Sequence, residues 1–163
     1  MKNTKRIILG ALIIFGMSIS SQLSSQATPT YTDHISLVSP GVTRSTDIVI
    51  LSVLTNVSDH NILRTGEEDV YPFKLVIRDE QGNLVKETDY GMKVHGSIPH
   101  QVQAPHLGAP VIKKGESVSG KIDLSKEFDL SAPGVYTVYI TDTDRETRLQ
   151  VTSNVLTFTV QPK

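Results

Sequence analysis

The chain has no cysteine and no tryptophan among its 163 residues, and aromatic side chains make up only 6% of it. Without cysteine there is no disulfide framework, no thiolate zinc or iron–sulfur site, and no cysteine nucleophile. An excess of charge of one sign is also missing: 16 Lys+Arg stand against 17 Asp+Glu, a formal net charge of −1. Nucleic-acid binding needs a basic footprint that this balance does not supply. The motifs G-x-S-x-G and H-E-x-x-H, the P-loop and the dinucleotide glycine fingerprint are absent from the sequence. A serine–histidine–acid triad brought together only in space leaves no spacing to read, so nothing in the sequence points to an enzyme. What remains, 38% hydrophobic and 20% charged residues, is the composition of a globular domain, and the length suits one.

The N-terminus has the form of a secretory leader. Lys2, Lys5 and Arg6 precede an uncharged apolar run at 7–19, and a polar stretch then ends in Ser25-Gln26-Ala27. A basic segment, a short apolar core and small residues at the −3 and −1 positions are the three parts of a signal peptide, with cleavage expected between Ala27 and Thr28. The apolar run is shorter than the ~20 residues a membrane span needs. No cysteine follows it to carry a lipid. The expected mature chain, 28–163, keeps 13 basic against 17 acidic residues, a net charge of −4. Such a protein is expected to be secreted or periplasmic, and not to seek anionic membranes once the leader is gone.

The mature chain reads as strands. Short β-branched and apolar runs at 34–39, 48–57, 71–78, 84–88, 117–124, 134–141 and 154–160 are separated by Gly, Pro, Asn, Asp and Ser. The second run, IVILSVLTNV, is dense enough for a central strand. In the third, Phe73, Leu75 and Ile77 alternate with Lys74, Val76 and Arg78 as a half-buried strand does. Residues 79–83 form a turn candidate, with Gly82 free to take positive φ. The run 84–88 would then return as a hairpin partner. Val118, Ile122 and Leu124 would share one face, as would Tyr136, Val138 and Ile140, and Leu156, Phe158 and Val160. About seven short strands with turn signals predict an all-β, immunoglobulin-like antiparallel β-sandwich over 28–163. Pro133 and Gly134 feeding Tyr136 resemble the tyrosine corner of such folds, where the hydroxyl ties back to upstream backbone.

Two connecting segments carry the candidate chemistry. The Gly- and Pro-punctuated stretch 90–110 reads as a long irregular loop and as the first place to look for a binding surface. It holds His95, His100 and His106, whose spacing fits no standard metal motif. They are the candidate zinc or copper ligands if they converge, and otherwise exposed or locally bonded histidines. The acidic groups 67–69 and 142–144 lack the spacing of a calcium loop and read as solvated turn charges. Asn56-Val57-Ser58 is a glycosylation sequon in form.

Several stretches carry a family resemblance. They are Leu54-Thr55-Asn56-Val57-Ser58, Lys114-Gly115-Glu116-Ser117-Val118-Ser119, Ile122-Asp123-Leu124-Ser125, Phe128-Asp129-Leu130-Ser131-Ala132-Pro133-Gly134-Val135-Tyr136-Thr137-Val138 and Ser153-Asn154. Together they resemble the immunoglobulin-like accessory domain that precedes the catalytic domain in some bacterial deuterolysin-like (lysine-specific) metalloendopeptidases. The catalytic helix of that family has no counterpart here, so the resemblance implies the sandwich and not the peptidase. The stretch 71–82 (YPFKLVIRDEQG), with Gly115-Glu116 and Gly134-Val135-Tyr136, is similar to BsuPI-type proteinase-inhibitor domains. This chain has Val85-Lys86-Glu87-Thr88 where that pattern has a tryptophan-containing strand.

Three roles follow as expectations. The first is an exported, non-enzymatic binding or accessory domain, a monomer or weak oligomer, with a protein partner and no cofactor. The second is a protease inhibitor of BsuPI-like type. The third is a small metal-binding periplasmic protein.

Overall fold

The structure is a computed structural model, and it describes residues 27–39, 48–63, 73–96 and 111–162. Nine strands and two short helices run in the order β1 (Tyr31–Leu37), β2 (Val49–Asn56), β3 (Ile62–Leu63), β4 (Lys74–Arg78), α1 (Asp89–Val94), β5 (Val111–Ile112), β6 (Ser117–Asp123), α2 (Leu124–Glu127), β7 (Gly134–Thr143), β8 (Gln150–Thr152) and β9 (Leu156–Val160). The protein is all-β in class, and its strand pairings are antiparallel.

The first sheet has the order β1-β2-β6, with β2 central. Along β2, Ile50, Ser52, Leu54 and Asn56 are buried and the alternate residues are half-buried, as the dense apolar run predicts for an inner strand. In the second sheet β4 lies on one side of β7, and β8 and β9 lie end to end on the other. Residues 153–155 separate β8 from β9 at a bulge. There the Ser153 hydroxyl accepts the Ile140 N–H at 2.9 Å while the Ser153 N–H donates to the Ile140 carbonyl, so a side chain continues the ladder. A two-stranded ribbon of β3 and β5 caps one end.

The two sheets share one apolar core. Ile35, Ile50 and Ile122 come from the first, and Leu75, Ile77, Tyr136, Val138, Ile140, Phe158 and Val160 from the second. Strands put alternate side chains on one face, so each sheet has one apolar face to hide. A smaller cluster of Tyr31, Leu54, Ile62, Ile112 and Val151 lies at the ribbon end. The Tyr136 ring stacks on Phe158 with centroids 5.6 Å apart, and its hydroxyl donates to the Ala132 carbonyl at 2.7 Å.

Several expectations need correction. The first strand begins at Tyr31, not His34, because Tyr31 through Leu37 all find partners on β2, and the chain bends at Val38 and Ser39. Val76 is buried although it lies on the supposed solvent face of β4, since alternation reports side-chain polarity and not what covers the outer face. The run 84–88 is not a strand. It makes one bridge, Leu84 to Arg78, and then leaves the hairpin, so that Lys86 to Thr88 bond across to Glu127 to Asp129 instead. Val118 is exposed, and only Ile122 and Leu124 of its set are buried. The segment 90–110 opens with the helix α1, begun by an N-cap at Thr88. β5 and β8 are too short to stand out from loops in the sequence. The turn at 79–83 does form, with Gly82 at φ +82 and the Asp79 carboxylate accepting from the Gln81 and Asn83 N–H groups.

Removing the Tyr136 hydroxyl leaves the Ala132 carbonyl without this donor while the ring keeps its core packing. Tyr136→Phe is expected to lower stability by about 1 kcal/mol, read as a lower urea midpoint with an unchanged slope.

Candidate functional site

Two places gather polar side chains that the fold positions closely. One is the seam between α1 and α2. The other is the ribbon end, around β3 and the β7–β8 turn.

At the seam, Thr88 caps α1. Its hydroxyl accepts the Gly91 N–H at 3.0 Å and donates to the Lys126 carbonyl at 2.5 Å, and its own N–H donates to the Glu127 carbonyl at 2.9 Å. α1 therefore starts against the backbone of α2. The approach is close enough that a Cβ on Gly91 would lie 2.0 Å from the Glu127 carbonyl oxygen. His95, at the other end of α1, turns its ring back over the seam. Nδ1 lies 2.7 Å from Glu87 Oε1 and Nε2 lies 3.0 Å from Glu127 Oε2. The ring is tilted against Phe128, with centroids 5.3 Å apart. The His95 side chain is 10% exposed and that of Glu127 only 3%.

The imidazole pKa is raised above its ordinary value. Burial, the largest single effect, opposes the positive charge. Hydrogen bonds to Glu127 and then Glu87, together with their charges, outweigh it.

The histidine expectation changes accordingly. His95 has both ring nitrogens on carboxylates, so it is not an open ligand of a three-histidine metal site. His100 and His106 lie outside the described residues, as does most of the segment 90–110. Among the described residues no group of three His, Asp or Glu side chains is placed to hold a metal ion. Glu87 and Glu127 as the partners of His95 escaped the sequence reading, because α2 lies 32 residues away and only the tertiary fold brings it close.

At the ribbon end, Asn56 is 1% exposed. Its amide nitrogen donates to the His60 and Ile112 carbonyls at 2.8 and 2.9 Å, and its oxygen accepts from the Ser58 N–H and hydroxyl. Those four bonds occupy the amide fully and tie β2 to the β3–β5 ribbon. The Asn56-Val57-Ser58 sequon therefore offers no accessible nitrogen in the folded chain. The sequence shows the sequon, while the burial of Asn56 is a tertiary fact.

Asp144 is likewise not a solvated turn charge, since it is 2% exposed. Its carboxylate accepts the Thr30 N–H at 2.6 Å and the Glu146 N–H at 3.0 Å. Burial, the largest effect, disfavours its charge, but these donors outweigh it and hold the pKa below the ordinary carboxylate range. Asp142 accepts from the Tyr31 hydroxyl at 2.6 Å. The acidic group 67–69 lies outside the described residues.

Between these anchors sits a cavity of about 120 Å³, walled by Tyr31, Leu54, Ile62 and Leu63 and by the turn 142–146. It is well below the roughly 300–1,000 Å³ of pockets that enclose small-molecule ligands. A single side chain is the scale it suits. Near its mouth His60 spans from Asp59 to Glu146, with ring nitrogens at 2.9 and 3.0 Å from the two carboxylates. Those carboxylates, Asp59 first, raise the imidazole pKa.

Pro133, Gly134 and Tyr136 form the approach to β7, where Tyr136 anchors the chain entering the strand. Ala27 and Thr28 are exposed, and Thr30 is the first buried residue of the described chain. Among the described residues, no helix is long and apolar enough to cross a membrane. Every buried side-chain nitrogen and oxygen among them has a partner. No protein-family model matches the chain, and no curated protein is significantly similar to it.

Asn56 gives a sharp test of this end of the molecule. Asn56→Ala is expected to cost about 2–3 kcal/mol by leaving buried carbonyl and N–H groups unpaired. Asn56→Asp is expected to cost more, because an ionised carboxylate has no hydrogen to give and would face the His60 and Ile112 carbonyls. Denaturant midpoints of the two variants, measured at neutral pH, give that order.

Proposed function

We propose that the mature chain is an exported, non-enzymatic immunoglobulin-like domain that binds a protein partner. The observation that carries the reading is the strand arrangement. Sheets ordered β1-β2-β6 and β4-β7-β8/β9 have the order expected of strands A-B-E and C-F-G in an immunoglobulin sandwich. The Tyr136 tie at the entry to β7 stands where the tyrosine corner precedes strand F. The same assignment agrees with the accessory-domain resemblance in the sequence. Such folds host many functions, so the binding role rests on the site.

Two features of the site favour binding over catalysis. His60 and His95 both have their ring nitrogens on carboxylates, and those of His95 belong to the buried α1–α2 seam. The cavity beside Leu63, which is 67% exposed, is of a size to take one anchoring side chain of a partner. Export is supported by the leader pattern. The expected junction, between exposed Ala27 and Thr28, lies just ahead of the first buried residue.

The test is photo-crosslinking from position 143, an exposed residue of the turn that lines the cavity, in the mature protein in secreting cells. A discrete cross-linked protein is expected. Leu63→Asp should weaken its capture about tenfold or more, the loss typical of an interface anchor, with the melting temperature unchanged. Turnover of a substrate by the pure protein would overturn the reading. Nanomolar inhibition of an endopeptidase would replace it with the inhibitor role, and a metal-dependent rise in melting temperature with the metal-binding one.

A further inference from the structure

The trio at the α1–α2 seam has a proton requirement that follows from its distances. A neutral imidazole has one N–H and one bare lone pair. With carboxylate oxygens 2.7 and 3.0 Å from its two nitrogens, a neutral ring between two ionised glutamates would set a lone pair against a carboxylate oxygen. Both contacts are attractive between ionised glutamates when the second ring nitrogen carries one further proton. We propose that Glu87, His95 and Glu127 form a proton-operated clasp that holds α1 against α2 when protonated and lets α1 lift away when the proton is lost.

The geometry makes the proton matter. Glu127 is nearly fully buried, and with the proton gone it would keep its charge without the imidazolium. The proton leaves to solvent, and the trio passes from a net charge of −1 to −2. α1 also meets α2 through the Thr88 N–H and hydroxyl, which donate to the Glu127 and Lys126 carbonyls, and through the close approach at Gly91. The other charged side chains on the packed elements are Asp89 and Lys93 on α1 and Lys126 on α2, the last paired with Asp123 at 3.2 Å. Lys86 and Asp129 flank the trio along the chain.

The direction follows from the imidazole pKa, which is raised in the folded state. The stabilisation is fully present below the unfolded histidine value of about 6.5 and is lost as the pH rises through the higher folded value. The clasp is therefore closed near pH 6.5 and opens as the pH rises through the folded value. This inference does not depend on what the protein binds.

Hydrogen exchange on the full mature chain, with the His95 ring followed by NMR, tests it. Protection factors at the Thr88, Met92 and His95 amides are expected to fall about tenfold or more between about pH 6 and pH 9, the worth of a charged hydrogen bond. The Val138 and Ile140 amides should keep theirs. His95→Gln should show low α1 protection with no pH dependence. Should that variant fail to fold, Glu87→Gln, at a partly exposed position, should move the opening midpoint to lower pH. A His95 ring that titrates below about 6.5 would overturn the clasp. Constant α1 protection across the range, or an unmoved midpoint in Glu87→Gln, would do the same.

Discussion

The Asn154 amide accepts the Ile35 N–H at 2.8 Å and donates to the Ile35 carbonyl at 3.0 Å, so one side chain pairs with β1 as a strand would. Through it the edge of the first sheet is held to the β8–β9 edge of the second. The chain has no cysteine to bridge its sheets, so their attachment rests on the shared aliphatic core and on a few polar side chains that bond backbone across the gap. Asp144 holds Thr30 at the start of β1 to the β7–β8 turn, and Asn56 holds the ribbon to β2. Ser153 keeps β8 and β9 in one ladder along β7. Each such group is costly if left unpaired in the interior, so each one fixes the relative position of what it joins.

This economy shapes the chemistry available to the protein. Among the described residues, several side chains of the types that mark catalytic or metal sites are committed to architecture. Asp144 and Asn56 are buried behind backbone donors and acceptors, and His95 lies between two carboxylates. What the surface offers is shape: a small cavity with an exposed leucine at its lip, beside a turn held rigid by Asp144. The binding role we propose uses that surface. In the clasp we propose, the proton of the α1–α2 seam serves packing, where two short elements meet.

The architecture was largely legible. β2, β4, β6 and β9 fall within the runs that their β-branched residues mark out, β7 extends two residues past its run, and Tyr136, Val138 and Ile140 face inward as their spacing requires. The misreadings share a cause. The run 84–88 has strand composition, yet only Leu84 and Val85 pair with β4 while Lys86 to Thr88 bond to Glu127 to Asp129, and composition does not name a partner. α1 is too short for a helical period to register, and its cap residue Thr88 is also tied to the Lys126 carbonyl of α2.

The local backbone preferences of the chain, its alternation of apolar side chains and its turn residues were determined by the sequence alone, because they depend on neighbours a few positions apart. The fate of the polar residues was decided by the tertiary structure. Asn56 reads as a sequon and Asp144 as a turn charge until distant segments close over them. His95 reads as a lone loop histidine until Glu127, 32 residues further on, is folded against it. Burial and pairing belong to contacts between remote segments, and the same side chain is solvated or structural according to which segment comes to lie above it.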